Sequence, residues 1–219
     1  MRESKRLNSL RQKGFTLVEI AIVLVIVGLL LGGVMKGQEL INSAKTRALV
    51  SKLKSVEVAW NTFTDRYQAK PGDFNQAVRD LGGPTVNGNG DGFVYINEAN
   101  DVWSHLSAAG LISGNYAVVD TTDFWTCVGC MENGFGQTMI LSWQNWGVAG
   151  GTKHKLSSGY MIPSMIVAEV DKKIDDGKPT TGKMVTLVTP NGGTNCRTGA
   201  EYLNVQATQE NCGFVFADF

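Results

Sequence analysis

Between Phe15 and Val34 the chain carries only two strongly polar side chains, Thr16 and Glu19, in a run otherwise made of Leu, Ile, Val, Ala, Gly and Phe. At helical rise such a run reaches about 30 Å, the thickness of a bilayer core. Polar residues then return, but Leu49, Leu53, Val56, Trp60, Phe63 and Tyr67 recur at steps of four and three. That spacing predicts an apolar seam on one helical face. No proline intervenes before Pro71, where "KPGD" is a strong stop. One helix over about residues 15–68 follows, about 80 Å long. Gly28, Gly32 and Gly33 are its weak points, at about 1 kcal/mol each.

Beyond residue 71 the pattern is mixed. "DVWSHLSAAGLISG" (101–114) predicts a short helix with Asp101 as N-cap and Gly114 as terminator. "PSMIVAEVDKKIDDGKP" (163–179) predicts another, with a proline near its start and Gly177 at its end. "QTMILSW" (137–143), "KMVTLV" (183–188) and "CGFVFADF" (212–219) are strand candidates. Glycine-rich turns separate the pieces. The expected class is α+β: a long N-terminal helix packed on a head, residues 71–219, built around an antiparallel sheet.

Charge gives the long helix a direction. Residues 1–14 hold Arg2, Lys5, Arg6, Arg11 and Lys13 against Glu3 alone, which leaves 15 of the 20 basic residues facing 19 of the 20 acidic ones. Basic flanks stay cytoplasmic, so the head is expected outside. The mildly acidic remainder offers no nucleic-acid platform. A secretory signal peptide fits poorly, because no Ala-x-Ala-like site follows the apolar run. A plain membrane anchor explains the run but not Glu19, since a carboxylate in lipid costs roughly 2.5–3.5 kcal/mol. No Lys or Arg shares its helix face, so its partner is expected outside this span.

"KGFTLVEIAIVLVIVG" resembles the class III signal of type IV prepilins and pseudopilins: a short basic leader, Gly, Phe-Thr-Leu-x-Glu, then an apolar helix. The resemblance implies cleavage between Gly14 and Phe15 by a prepilin peptidase and N-methylation of Phe15. It implies a pilin-like fold, with residues 1–14 a cleaved cytoplasmic leader, 15–34 the membrane and filament-core half of the helix, and 35–70 its amphipathic half. Glu19 would then meet the Phe15 amine of a neighbouring copy, fixing the register of assembly. Partners implied are other pilin subunits, the peptidase and an inner-membrane assembly platform. The location implied is the inner membrane first and the cell surface after assembly. Many major type IV pilins have a proline where this chain has Lys36, which leaves any kink there unassigned.

"NGNGDGFVYINE" (87–98) has the spacing of a calcium loop. Asn87, Asn89 and Asp91 would occupy positions one, three and five, the Phe93 carbonyl seven, and Glu98 twelve. Asn at position one and the lack of a preceding helix depart from that pattern; a Gly/Asn turn without an ion is the alternative. No other cofactor is expected. Cys127 and Cys130 form "CVGC", read as a local disulfide ahead of redox or zinc use. A Cys196–Cys212 pairing would resemble the disulfide-bounded C-terminal region of type IV pilins, although spacing alone leaves the other two connectivities open.

Two histidines occur. His105 is expected to be packed in its helix, and His154, within "GTKHK", to be exposed. Asp171, Asp175 and Asp176 read as a solvated helix end, with acid chemistry or a cation site as the alternative. No Ser-His-Asp set, phosphate loop or HExxH motif appears. The leading expectation is a non-enzymatic subunit of a type IV pilus, favoured by length and the C-terminal cysteine pair, which pseudopilins more often lack. A type II secretion pseudopilin comes next, and a membrane-tethered periplasmic thiol oxidoreductase last.

Overall fold

The computed structural model describes residues 15–116, 129–148, 151–187, 196–202, 212–217 and 219. The chain divides into two units, Met1–Asn42 and Ser43–Phe219. One helix, α1 (Leu17–Tyr67), begins in the first and ends in the second. In the first unit its apolar side chains are uncovered on every face, with Leu17 87%, Leu24 65% and Leu31 60% exposed.

In the second unit the seam is buried as the spacing predicts. Leu49, Leu53, Val56, Trp60 and Phe63 are all at most 2% exposed, and Tyr67 is half-buried. The helix ends where Gln68 enters the left-handed region (φ 52°) and its amide reaches back to the Asp65 carbonyl at 2.8 Å. Pro71 then prevents continuation.

The remaining elements are α2 (Ala77–Asp80), α3 (Asp101–Ala108), β1 (Ile140–Gln144), β2 (Lys153–Ser157), α4 (Ser164–Ile174), β3 (Met184–Thr186), β4 (Arg197–Thr198), β5 (Glu201–Tyr202) and β6 (Phe214–Phe216). A four-stranded antiparallel sheet has the order β1-β2-β6-β3, and β4-β5 is a separate hairpin. The sheet shares one core with α1, α3 and α4, filled by Trp103, Met139, Leu141, Leu156, Val167 and Phe214 among others. The class is α+β, as the pattern predicts.

Boundaries differ where local hydrogen bonds override the pattern. α3 ends at Ala108, well short of the expected terminator Gly114, because Gly110 (φ 70°) closes a Schellman turn. Leu111 N–H donates to Leu106 O and Gly110 N–H to Ser107 O. Asn100, not Asp101, holds the N-cap position. α4 ends at Ile174, since Asp175 is extended and its Oδ2 accepts the Met184 N–H at 2.8 Å. β2 lies in "KHKLS", a stretch too polar to stand out, yet only Lys153 within it is exposed. The Lys155 stem is buried while its ammonium reaches the carbonyls of Asn145 (3.2 Å) and Gly151 (2.6 Å).

Phe63 is fully buried and its ring touches those of Tyr67, Phe74 and His105. Phe63→Ala is expected to cost about 3–5 kcal/mol. Urea denaturation of the detergent-solubilised chain measures it, and a midpoint matching the parent's refutes the packing described.

Candidate functional site

Phe15 precedes α1 and is 83% exposed; Gly14 and the rest of residues 1–14 lie outside the described residues. Thr16 and Glu19 close a reciprocal box on the first turn. The Thr16 hydroxyl accepts the Glu19 N–H at 3.2 Å. The Glu19 carboxylate accepts the Thr16 N–H at 2.8 Å and its hydroxyl at 2.9 Å. This is the capping arrangement Thr-x-x-Glu, which satisfies otherwise orphaned backbone donors. Glu19 therefore has a hydrogen-bond partner inside its own span, which sequence reading did not anticipate. Its charge is a separate matter, because the box contains no cation.

In the head, the stretch between Gly72 and Glu98 is fastened by side chains that accept backbone N–H groups. Asp73 takes three in a row, from Gly90 (2.7 Å), Asp91 (3.0 Å) and Gly92 (2.8 Å). Only glycine fits at position 88, where an added Cβ would stand 2.3 Å from the Asp73 backbone. Lys70 donates to the Gly92 carbonyl at 2.5 Å and sits over the Phe93 ring. Partial burial pulls its pKa down, against the attraction of Asp73 and Asp91.

Of the calcium-loop residues, Asn89, Asp91 and Glu98 come together and Asn87 does not. Asn89 N–H donates to Glu98 Oε1 (3.0 Å), Tyr95 N–H to Glu98 Oε2 (3.3 Å), and Asp91 N–H to the Asn89 amide oxygen (2.8 Å). Asp91 accepts the Phe93 N–H at 2.9 Å. The Asn87 oxygen instead accepts the Val78 N–H, at the start of α2. Burial raises the Glu98 pKa; its two N–H donors oppose this and the charges of Asp73 and Asp91 add to it. The principal acceptor, Asp73, was not singled out by sequence. Its signal is an aspartate following the helix stop, opposite a glycine-rich run of free N–H donors.

Both histidines fasten this same stretch. His105, fully buried as expected, accepts the Gly72 N–H at Nδ1 (2.9 Å), and its Nε2–H donates to the Val86 carbonyl (2.7 Å). His154, expected at the surface, is only 2% exposed. β2 is covered on both faces from His154 onward, and the His154 ring lies 5.4 Å from that of Trp60 and 4.8 Å from that of Trp143. Its Nε2 accepts the Val94 N–H at 3.1 Å, which requires that nitrogen to be unprotonated. Desolvation, followed by the nearby Lys70 charge, lowers its pKa from 6.5 to about 4.

Cys196 and Cys212 are disulfide-bonded, with Cα atoms 5.6 Å apart. Cys130 is also disulfide-bonded, and Cys127 lies outside the described residues. Asp171 is buried and hydrogen-bonded by the Tyr202 hydroxyl at 2.7 Å. Burial raises its pKa to about 6; the Tyr202 bond and the Gly177 backbone N–H oppose this, and the charges of Asp175 and Asp176 add to it.

Residues 9–35 match the family described as the prokaryotic N-terminal methylation motif, the class III signal of type IV pilins. No curated protein and no solved structure matches the chain. The chain thus carries the N-terminus of a type IV pilin- or pseudopilin-type prepilin, with a membrane-length apolar helix that begins inside the motif. The motif ends at residue 35 and leaves the head undescribed by any relative.

A group whose folded pKa is depressed contributes stability that is full above its unfolded pKa and lost as pH falls towards the folded value. Between pH 7.5 and 4, the parent chain is therefore expected to lose about 3 kcal/mol more stability than His154→Gln. Glutamine keeps an acceptor for Val94 but does not titrate. Urea midpoints across that range decide it, and equal losses in the two proteins contradict the assignment.

Proposed function

We propose that this chain is a structural subunit of a type IV pilus, cut between Gly14 and Phe15, N-methylated at Phe15 and assembled from the inner membrane. The carrying observation is the methylation motif, inside which begins a membrane-length helix whose apolar side chains are exposed among the described residues. Lipid covers such a surface before assembly and other subunits cover it afterwards. The basic residues ahead of Gly14 favour a cytoplasmic start and an exported head. The Cys196–Cys212 bond suits that outer location and supports a pilus over a type II secretion pseudopilus.

Glu19 has two roles in this reading. In the single chain it caps the first turn with Thr16. In the filament its charge meets the methylated amine of a neighbouring Phe15. Losing one partner of a buried ion pair typically costs about 3–5 kcal/mol, so the pair selects one axial register.

The two roles can be separated by substitution. Glu19→Ala removes both cap and charge, whereas Glu19→Gln keeps the cap, because glutamine serves equally at that position. Both variants are expected to be cleaved and membrane-bound but absent from sheared filaments. Wild-type filament levels with Glu19→Gln would reduce Glu19 to a cap. Intact-mass measurement of the native chain is expected to give an N-methylated Phe15 start. A gene deletion scored in parallel for surface pili and secreted enzymes distinguishes pilus from pseudopilus: loss of secretion with pili intact defeats the pilus reading.

A further inference from the structure

The β4–β5 hairpin directly follows Cys196, with Arg197 opposite Tyr202 and Thr198 opposite Glu201. Two residues per strand are too few to hold a hairpin by its own hydrogen bonds, so it depends on what it is fastened to. At its base the fully buried Cys196 is disulfide-bonded to Cys212, which pairs in turn with Ile162. On its other strand β5 packs against α4, where the Tyr202 hydroxyl donates to Asp171 Oδ2 at 2.7 Å. The first fastening is covalent. The second is a hydrogen bond to an acid whose charge can change.

The surroundings of Asp171 favour its neutral form. Asp171 is 0% exposed, and burial penalises a carboxylate. Asp175 and Asp176 each bring a carboxylate oxygen within 4.8 Å, and their charges repel another. The Tyr202 hydroxyl and the Gly177 N–H are the donors that oppose these effects. The nearby cations are turned elsewhere: Arg197 donates to the Gly199 carbonyl at 2.9 Å, and the Lys178 charge acts on Asp176. Glu169, Lys172 and Glu201 line an open cleft of about 820 Å³ whose walls come from α4 and the hairpin. Tyr202 lines that cleft and Asp171 does not. The tyrosine therefore reaches from the wetted wall to the buried carboxyl.

We propose that the Tyr202–Asp171 pair is a proton-controlled latch on the β4–β5 hairpin. With Asp171 protonated, the hairpin stays docked on α4. With Asp171 ionised, the hairpin swings on its disulfide base and lets water reach the carboxylate. Opening hydrates a buried charge, a gain that the neutral acid does not have. The Asp171 pKa is about 6 when docked, against an ordinary 3.8, so the docked state holds a proton that the open state releases. Docking is therefore strongest in mild acid and weakens as pH rises through 6. Between pH 5 and 7.5 the docking equilibrium falls by about tenfold. His154 works in the opposite direction, its contribution weakening in acid. The latch does not depend on the filament reading.

Hydrogen exchange of the full chain in detergent, read by mass spectrometry and normalised to intrinsic rates, tests this. In the parent, protection of residues 197–202 is expected to fall by about tenfold from pH 5 to 7.5 while that of α1 in the head holds. Asp171→Asn keeps an acceptor for Tyr202 but does not titrate, so its hairpin protection should be equal at the two pH values. Tyr202→Phe keeps the ring and loses the bond, so its hairpin should be less protected than the parent's at pH 5. Circular dichroism checks that both variants fold. Hairpin protection in the parent that does not change with pH overturns the latch, as does the same fall in Asp171→Asn. Parent-like protection at pH 5 in Tyr202→Phe also overturns it. A fall shared equally by α1 overturns it as well, since Asp171 would then act on the whole head.

Discussion

From Leu17 to Ile41 α1 presents leucine, isoleucine and valine side chains that stay exposed within the first unit among the described residues. Each such side chain is worth about 1.5–3 kcal/mol when removed from water, so the total far exceeds the stability of an ordinary domain. The surface must therefore be met by lipid or by other helices. Moving from one to the other gains little from hydrophobicity, because lipid tails are as apolar as leucine. Polar features then decide how helices align, and this stretch has few. Thr16 and Glu19 already satisfy each other's backbone groups, so in the proposed filament it is the charge of Glu19 that would be left for recognition.

A different constraint governs the head. Buried backbone N–H groups need acceptors, and the stretch between Gly72 and Glu98 contains little regular structure to supply them. Side chains do so instead: Asp73, Glu98, His105 and His154 each receive one or more N–H groups from it. Two of these acceptors sit on α3 and β2, so the irregular stretch is tied to elements that are themselves packed on α1. The histidines serve as neutral hydrogen-bonding groups here.

The long helix and its seam were legible because one pattern at one period runs from Leu49 to Tyr67 without a breaker. β1, β3 and β6 were legible as short apolar runs. β2 was not: its lysines and histidine mimic a surface strand, and the burial of Lys155 depends on two carbonyls supplied by the neighbouring turn. The N-terminal motif is readable residue by residue; its Thr-x-x-Glu cap is written in the same residues, but a carboxylate in an apolar span poses a question of charge that hides its role as an acceptor for the backbone. In the 87–98 loop, spacing suggested a cation, whereas the fold sets these oxygens against backbone donors, with Asp73 arriving from outside the motif. Asp171, Asp175 and Asp176 lie close in sequence and read as a solvated helix end, but only the fold shows that Asp171 is buried and held by Tyr202 while Asp176 is exposed.

The order of the sheet has one more consequence. β6 follows β1, β2 and β3 along the chain, yet it is hydrogen-bonded between β2 and β3. Among the described residues β3 pairs only with β6 in that sheet. Of the four-stranded sheet, therefore, only the β1–β2 ribbon can form before residues 214–216 have been made. A chain stopped between Thr186 and Phe214 would hold β3 without its sheet neighbour and leave an open edge on β2, the kind of edge that invites pairing with another chain.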